Sequence, residues 1–146
     1  MKENFQEYGS LLGNQKYMDK IADMLITIKN AGMASKPSVV IPYSNFRHAI
    51  ADCLAKKKYV GSVSKKTDNK ERPILEIVIS YEGKHPKVTH VERVSKPSRR
   101  VYFKAKEMRL VKNGQGLLVV STPKGVLSGD EAKKELVGGE ALFKIW

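Results

Sequence analysis

Residues 117–136 read LLVVSTPKGVLSGDEAKKEL, so both kinds of regular structure are indicated within one short stretch. The stretch opens with the apolar run of residues 117–120, which is typical of a buried strand, and the predicted strand continues to Thr122. Ser128 and Glu131 have the Ser-x-x-Glu spacing of a capping box, which predicts a short helix that ends at Leu136. A strand followed this closely by a helix favours a mixed α+β fold.

Helix and strand patterns in the rest of the chain predict two small α/β subdomains. Helices are predicted to begin at Asp19 and Ser44, and strands are predicted at residues 38–42, 60–67, 74–81, 88–94, 100–103, 117–122 and 140–146. We predict a loosely ordered N-terminal extension over residues 1–16, an α-β-α-β-β subdomain over residues 17–83, and a mainly β subdomain with one short helix over residues 84–146.

The composition of the 146 residues excludes several classes of protein. Hydrophobic residues make up 41% of the chain and charged residues 29%, a balance typical of a globular protein rather than a disordered one. No apolar run reaches the roughly 18 residues of a membrane span, and the N-terminus lacks the apolar core of a secretory signal. One cysteine allows no intrachain disulfide, and we predict a soluble cytoplasmic protein.

The net charge of +12 is concentrated in one part of the chain. Residues 84–112 contain ten Lys and Arg and two Glu, whereas residues 113–146 carry no net charge. Charges that serve only solubility would be spread more evenly, so this distribution indicates an anionic partner. Nucleic acid is favoured. An anionic membrane surface is the weaker alternative, because no basic amphipathic helix is evident in this segment.

Residues that could carry catalysis or bind a metal are few. His48, His85 and His90 have no metal-ligand spacing, and Cys53 falls on the apolar face of the second predicted helix. A small buried side chain explains Cys53 better than a nucleophile does. The chain is therefore predicted not to be an enzyme, and no catalytic residue, metal, cofactor or small-molecule substrate is expected.

A cluster of cations surrounds Pro97 and ends beside the aromatic Tyr102. It consists of Arg93, Lys96, Arg99, Arg100 and Lys104. Guanidinium and ammonium groups bind phosphate, and a nearby aromatic ring offers a face on which an unstacked base can lie. The alternative is a solvated strand face with a core aromatic, and the pattern does not distinguish RNA from DNA.

The polar residues that follow the apolar run of residues 117–120 suit RNA equally well. Ser121 and Thr122 place hydroxyl groups at the end of a rigid strand, where they can meet base edges and ribose hydroxyls. Lys124 can neutralise a phosphate, and Gly125 lets a backbone approach closely. A simple Ser/Thr/Pro/Gly turn explains the same residues without any ligand, and the local chemistry leaves both interpretations open.

Several motifs together resemble the family of bacterial small-subunit ribosomal protein eight. They are STPKGV at residues 121–126 with GGE at 138–140, IADML at 21–25 ending in KN at 29–30, and RVSKP at 93–97 with RVY at 100–102. The matches occur in the family's order and cover residues 19–146. One of them alone would be weak, but their combination is specific.

The resemblance implies a two-domain α+β protein that binds the central domain of 16S ribosomal RNA and helps to organise the platform of the small subunit. Neighbouring small-subunit proteins, including proteins five and twelve, are implied as partners, and the small ribosomal subunit as the location. Some members of the family also repress translation of their own operon by binding a similar mRNA structure.

The RNA-binding residues are predicted from the basic residues and from the positions that match the family's motifs. They are Lys29, Asn30, Lys36, Lys57, Lys58, Arg93, Ser95, Lys96, Arg99, Arg100, Tyr102, Ser121, Thr122, Lys124, Gly125, Gly138, Gly139 and Glu140.

Overall fold

A computed structural model describes residues 20–146, so the predictions for Asp19 and for the extension of residues 1–16 lie outside the described residues. The helices are α1 (Lys20–Met33), α2 (Asn45–Lys56) and α3 (Gly129–Lys134). The strands are β1 (Ser38–Pro42), β2 (Val60–Thr67), β3 (Pro73–Ile79), β4 (Tyr81–Glu82), β5 (His85–Pro86), β6 (Val91–Arg93), β7 (Tyr102–Phe103), β8 (Leu117–Thr122), β9 (Gly125–Ser128) and β10 (Gly139–Ile145). This mixture of helices and strands confirms the predicted α+β class.

The N-terminal half forms a three-stranded antiparallel sheet in the order β1-β3-β2. Strand β3 lies in the centre. Its buried apolar side chains alternate along the strand, and Leu75 and Ile77 are completely buried. Helix α2 contributes Ile50 and Leu54 to the same core. Its start is fixed as predicted, since the Ser44 side chain accepts a hydrogen bond from the backbone N–H of Arg47.

The C-terminal half forms a second antiparallel sheet in the order β6-β10-β8-β9. Strand β7 also pairs with β10, beyond the end of β6 along the same edge. The capping box that begins α3 forms as predicted: the Ser128 hydroxyl accepts from the backbone N–H of Glu131, and the Glu131 carboxylate accepts from the backbone N–H of Ser128.

Both faces of the C-terminal sheet are covered, and this determines where a ligand can reach it. Val119 and Phe143 belong to a hydrophobic cluster that also contains the buried residues of the N-terminal half. Leu118 and Val120 belong to a second cluster on the opposite face, together with Met108 and other residues of the C-terminal half. Neighbouring residues of a strand point to opposite faces, and β8, β9 and β10 accordingly contribute to both clusters.

Several predicted elements differ from the observed ones because pairing partners, and not local patterns, decide their length. Two strands are shorter than predicted: of residues 88–94 only β6 is a strand, and of residues 100–103 only β7. The sequence predicts no strand at residues 125–128, where β9 forms because it pairs with β8. At the predicted boundary between the two subdomains, β4 and β5 form a short hairpin.

Candidate nucleic-acid interface

Three predicted residues lie side by side across three neighbouring strands. On β10, Glu140 pairs with Tyr102 of β7 on one side and with Ser121 of β8 on the other. Directly opposed residues of an antiparallel pair point to the same face, so an aromatic ring, a carboxylate and a hydroxyl form one continuous row. The row is accessible: Tyr102 is 67% exposed, and Ser121 and Glu140 are partly exposed. We call these three residues the Tyr-Glu-Ser row.

The row lies at the end of a sheet face that is otherwise buried. Ser121 follows Val119 by two residues and therefore shares its face, which is the face packed against the N-terminal half. Val119 is fully buried, whereas Ser121 is partly exposed, so the N-terminal half stops covering this face of the sheet between these two positions. The rigid core thus fixes the backbone immediately next to the exposed side chains, which is what precise placement of contact groups requires.

Two glycines allow the strands to come together at this point. A Cβ atom on Gly139 would overlap the carbonyl oxygen of Ser121, and one on Gly138 would lie 2.5 Å from the carbonyl oxygen of Phe103. Neither neighbour is a movable side chain, so the backbone itself would have to shift. In the predicted Gly-Gly-Glu motif, the two glycines therefore allow neighbouring backbones to approach closely, and Glu140 places a carboxylate at the surface.

The turn between β8 and β9 is stabilised by Thr122. Its hydroxyl donates to the carbonyl oxygen of Gly125 at 2.7 Å and accepts from the backbone N–H of Lys124 at 3.1 Å. Gly125 has φ +112°, a conformation that other residues rarely adopt. The Lys124 ammonium projects from this turn and pairs with Glu135 at 3.1 Å. For Thr122, the interpretation as a turn residue therefore has direct structural support.

The loop of residues 95–101 presents cations beside the row. Ser95 is completely buried; its hydroxyl accepts a hydrogen bond from the backbone N–H of Val101 at 2.7 Å and donates one to the Val101 carbonyl oxygen at 3.1 Å, so it organises the loop. Lys96 and Arg99 exchange backbone hydrogen bonds across a tight turn and are both exposed. The Arg100 guanidinium pairs with the Glu140 carboxylate at 3.1 Å and thereby joins the Tyr-Glu-Ser row.

Other predicted residues lie elsewhere. Lys29 and Asn30 are near the end of α1 and Lys36 in the loop that follows it, while Lys57 and Lys58 follow α2. The Lys57 ammonium pairs with Asp130 of α3 at 3.2 Å. The Arg93 guanidinium donates to the carbonyl oxygen of Leu142, so this side chain lies along the sheet.

Comparison with known proteins adds the decisive observation, because the profile of the family described as Ribosomal protein S8 matches residues 19–146. The chain belongs to this family. The small ribosomal subunit protein uS8 of Syntrophus aciditrophicus is 42% identical over 129 residues, which cover 88% of this chain and 97% of that relative. The uS8 protein of Novosphingobium aromaticivorans is 42% identical over 128 residues, which cover 88% of this chain and 97% of that relative. The uS8 protein of Kosmotoga olearia is 40% identical over 134 residues, which cover 89% of this chain and 99% of that relative.

Membership of the ribosomal protein S8 family confirms the resemblance that the motifs indicated and the prediction that the chain is not an enzyme. Among residues 20–146, no group of three or more His, Cys, Asp or Glu is arranged to hold a metal ion, and no helix is long and apolar enough to cross a membrane. Cys53 is buried as expected, and loss of solvation, followed by the nearby Glu131 carboxylate, raises the pKa of its thiol to about 12.

Two carboxylates on α3 connect the halves of this ribosomal protein. Glu131 pairs with Lys56, and Asp130 with Lys57, at the point where the C-terminus of α2 meets the N-terminus of α3. Burial raises the pKa of each carboxyl, but hydrogen bonds from Ser128 and from the paired lysine outweigh it and leave both pKa values below the ordinary range. We call these two ion pairs the α2–α3 clasp. Sequence patterns alone gave no signal for it, because its partners are more than 70 residues apart.

Proposed function

We propose that this chain is a structural component of the small ribosomal subunit that binds the central domain of 16S ribosomal RNA, chiefly through residues 84–146. The observation that supports this most directly is the Tyr-Glu-Ser row, which combines a stacking surface with hydrogen-bonding groups on a rigid sheet. In this proposal the chain acts in the cytoplasm, within the subunit, and helps to organise its platform.

Affinity and specificity would come from different residues. Lys96 and Arg99 are exposed beside the row and would neutralise phosphates, which positions RNA without reading its sequence. Tyr102 offers a ring on which an unpaired base can stack, and Ser121 offers a hydroxyl for a base edge or a ribose 2′-hydroxyl. The major groove of A-form duplex is too narrow for such side chains, so we expect the target to contain a bulge or distorted pairs.

Glu140 has a distinct role in this scheme. A carboxylate repels phosphate but accepts hydrogen bonds from exocyclic amino groups, so it favours a base edge at the centre of the row. Its pairing with Arg100 at 3.1 Å also offsets its charge and orients the guanidinium. The row would therefore admit bases and leave phosphates to the cations around it.

The finer partners rest on the resemblance to the family. Ribosomal proteins five and twelve are proposed neighbours in the subunit, and repression of the protein's own mRNA is a proposed second activity. Chemical footprinting on the 16S central domain and on the operon mRNA distinguishes these roles. Protection of both RNAs at a similar bulged structure would support autoregulation, and protection of the ribosomal RNA alone would argue against it.

The proposal is tested by co-sedimentation of a tagged chain with small ribosomal subunits through a sucrose gradient. We expect the wild-type chain to sediment with the subunit and to protect nucleotides of the 16S central domain. The control is Phe46→Ala, an exposed position on α2, which should behave like the wild type. A chain that stays at the top of the gradient would contradict the proposal.

A further inference from the structure

The loop of residues 108–111 lies between two neighbouring hollows on the C-terminal half. One has a volume of about 330 Å³ and extends towards α3, and the other has a volume of about 230 Å³ and extends towards β10. Arg109, Leu110, Val111 and Leu118 line both of them. The two hollows therefore form one groove with Leu110 at its centre. We call it the Leu110 groove.

The Leu110 groove lies on the opposite face of the sheet from the Tyr-Glu-Ser row. Leu118 and Ser121 are three residues apart on β8, and side chains an odd number of positions apart in a strand point to opposite faces. Leu118 accordingly belongs to the second hydrophobic cluster, away from the N-terminal half. RNA bound at the row, as proposed above, would therefore lie on the other face and leave the groove open.

The lining of the groove suits a protein better than RNA. Leu110 is 76% exposed, and Val111 and Leu118 are buried beneath it, so the accessible centre is aliphatic. RNA recognition relies on aromatic rings, hydroxyls and cations, and an exposed leucine contributes little to it. Apolar side chains clustered at a hollow are, by contrast, typical of anchoring positions in protein interfaces.

The charge at the rim specifies the partner's chemistry. Arg109, Lys133 and Lys144 line the hollows, and none of them has an ion pair with another residue of the described segment 20–146. Of the acidic lining residues, Asp130 pairs with Lys57 at 3.2 Å, and only Glu107, which accepts a hydrogen bond from the backbone N–H of Lys104 at 2.6 Å, keeps its negative charge against these three cations. The groove therefore has an excess of positive charge around an apolar centre.

We infer that the Leu110 groove docks an acidic segment of another small-subunit protein, with an apolar side chain of that segment placed against Leu110 and carboxylates placed against Arg109, Lys133 and Lys144. The inference rests on the proposed function, because it takes the partner to be a component of the same subunit. It adds the surface, the face of the sheet and the chemistry of the segment that binds there.

A photo-crosslinking experiment in reconstituted subunits tests the inference. A benzophenone-bearing amino acid replaces Leu110, and the full chain is assembled with 16S ribosomal RNA and purified small-subunit proteins, isolated by sedimentation and irradiated. We expect a crosslink to one added protein, mapped by mass spectrometry to an Asp- and Glu-rich peptide. The same reporter at the exposed Val40, on the N-terminal sheet, is the control and should not reach that peptide.

A charge-reversal pair tests the chemistry. Lys133 lines the groove and Lys134 does not, although they are adjacent and both exposed. Lys133→Glu should reduce the crosslink yield by about tenfold, as expected for reversing a charge at a complementary interface, while Lys134→Glu should leave it nearly unchanged. Equal effects of the two variants would contradict the inference.

The sedimentation step separates this inference from the proposed function. A chain absent from the subunit fraction contradicts the proposed function and, with it, the inference. A chain that sediments with the subunit but crosslinks at position 110 to RNA, to a second copy of itself, or to no protein overturns the inference and leaves the proposed function standing.

Discussion

Ser121 and Thr122 are neighbours in the chain, but their hydroxyl groups have different surroundings. The Thr122 hydroxyl stabilises the β8–β9 turn: it donates to the carbonyl oxygen of Gly125 and accepts from the backbone N–H of Lys124. Ser121 instead lies opposite Glu140 in the Tyr-Glu-Ser row. The sequence left both interpretations open for both residues; the structure supports the turn interpretation for Thr122, and we propose the RNA contact for Ser121 alone.

Two substitutions measure this difference. Thr122→Val keeps the shape of the side chain but removes both hydrogen bonds, so we expect it to lower the free energy of unfolding by about 0.5–1.5 kcal/mol. Ser121→Ala should leave the stability nearly unchanged and weaken binding of the 16S central domain by about 1–3 kcal/mol, because its RNA partner loses a hydrogen bond. Urea denaturation and RNA titration check the pair. Equal stability losses for both variants would refute the division of roles.

Gly139 allows the close approach of β10 to β8. In Gly139→Ala the new methyl group overlaps the Ser121 carbonyl, and the strand must move, which we expect to cost about 1–3 kcal/mol in the free energy of unfolding. Ser62→Ala, at an exposed position of β2, is the control and should change stability by less than about 0.5 kcal/mol. If Gly139→Ala unfolds at the same urea concentration as the control, the steric role assigned to Gly139 is wrong.

At the scale of elements, the α2–α3 clasp makes the contact between two helices dependent on pH. Folding lowers the pKa values of Asp130 and Glu131 below their ordinary 3.8 and 4.5. The clasp's stabilisation is therefore fully present above those ordinary values and is lost as the pH falls through the lowered ones, where both carboxylates become protonated.

We expect the double variant Lys56→Met with Lys57→Met to be less stable than the wild type at pH 6, and the difference to shrink as the pH falls below about 4. Thermal melts between pH 6 and pH 3 measure the difference, and the control is Lys70→Met in the β2–β3 turn. A difference that persists unchanged at the acidic end would show that lost packing, and not the ion pairs, causes the effect.

The elements that the sequence predicted best are those with strong local signals. Strands β1, β2 and β8 have the predicted bounds, because β1 and β8 contain short apolar runs and β2 ends where the polar turn at Asp68 begins. Strand β9 was missed, because only its pairing with β8 makes residues 125–128 extended. Helix α3 ends at Lys134, before the predicted Leu136, which adopts a positive φ of 58°.

The candidate site was predictable as a set of residues but not as an arrangement. The sequence motifs include Tyr102, Ser121 and Glu140. Their alignment in one row, however, depends on the register of β7, β8 and β10, which are far apart in the sequence. The same limit applies to Ser95, whose polar side chain gave no indication that it is fully buried and bonded to Val101.

For the whole molecule, the net charge of +8 over residues 84–112 predicts a strong dependence of RNA affinity on salt. With about five phosphate contacts, the logarithm of the association constant should fall with the logarithm of salt concentration at a slope of roughly −3 to −5. Filter binding at several salt concentrations gives the slope, and Arg99→Ala should reduce its magnitude by up to about one. A slope near zero would remove the electrostatic contribution from this account.

The most direct test of the Tyr-Glu-Ser row is the affinity of Tyr102→Ala for a fluorescent RNA fragment of the 16S central domain, measured at fixed salt beside the wild type. Loss of a stacked base should weaken binding by about 1–3 kcal/mol, whereas Phe46→Ala, an exposed aromatic on α2, should bind like the wild type. Plain RNA duplex should show no such difference between Tyr102→Ala and the wild type. Equal affinities of Tyr102→Ala and the wild type for the central-domain fragment would contradict the assignment of this row as the RNA-reading surface.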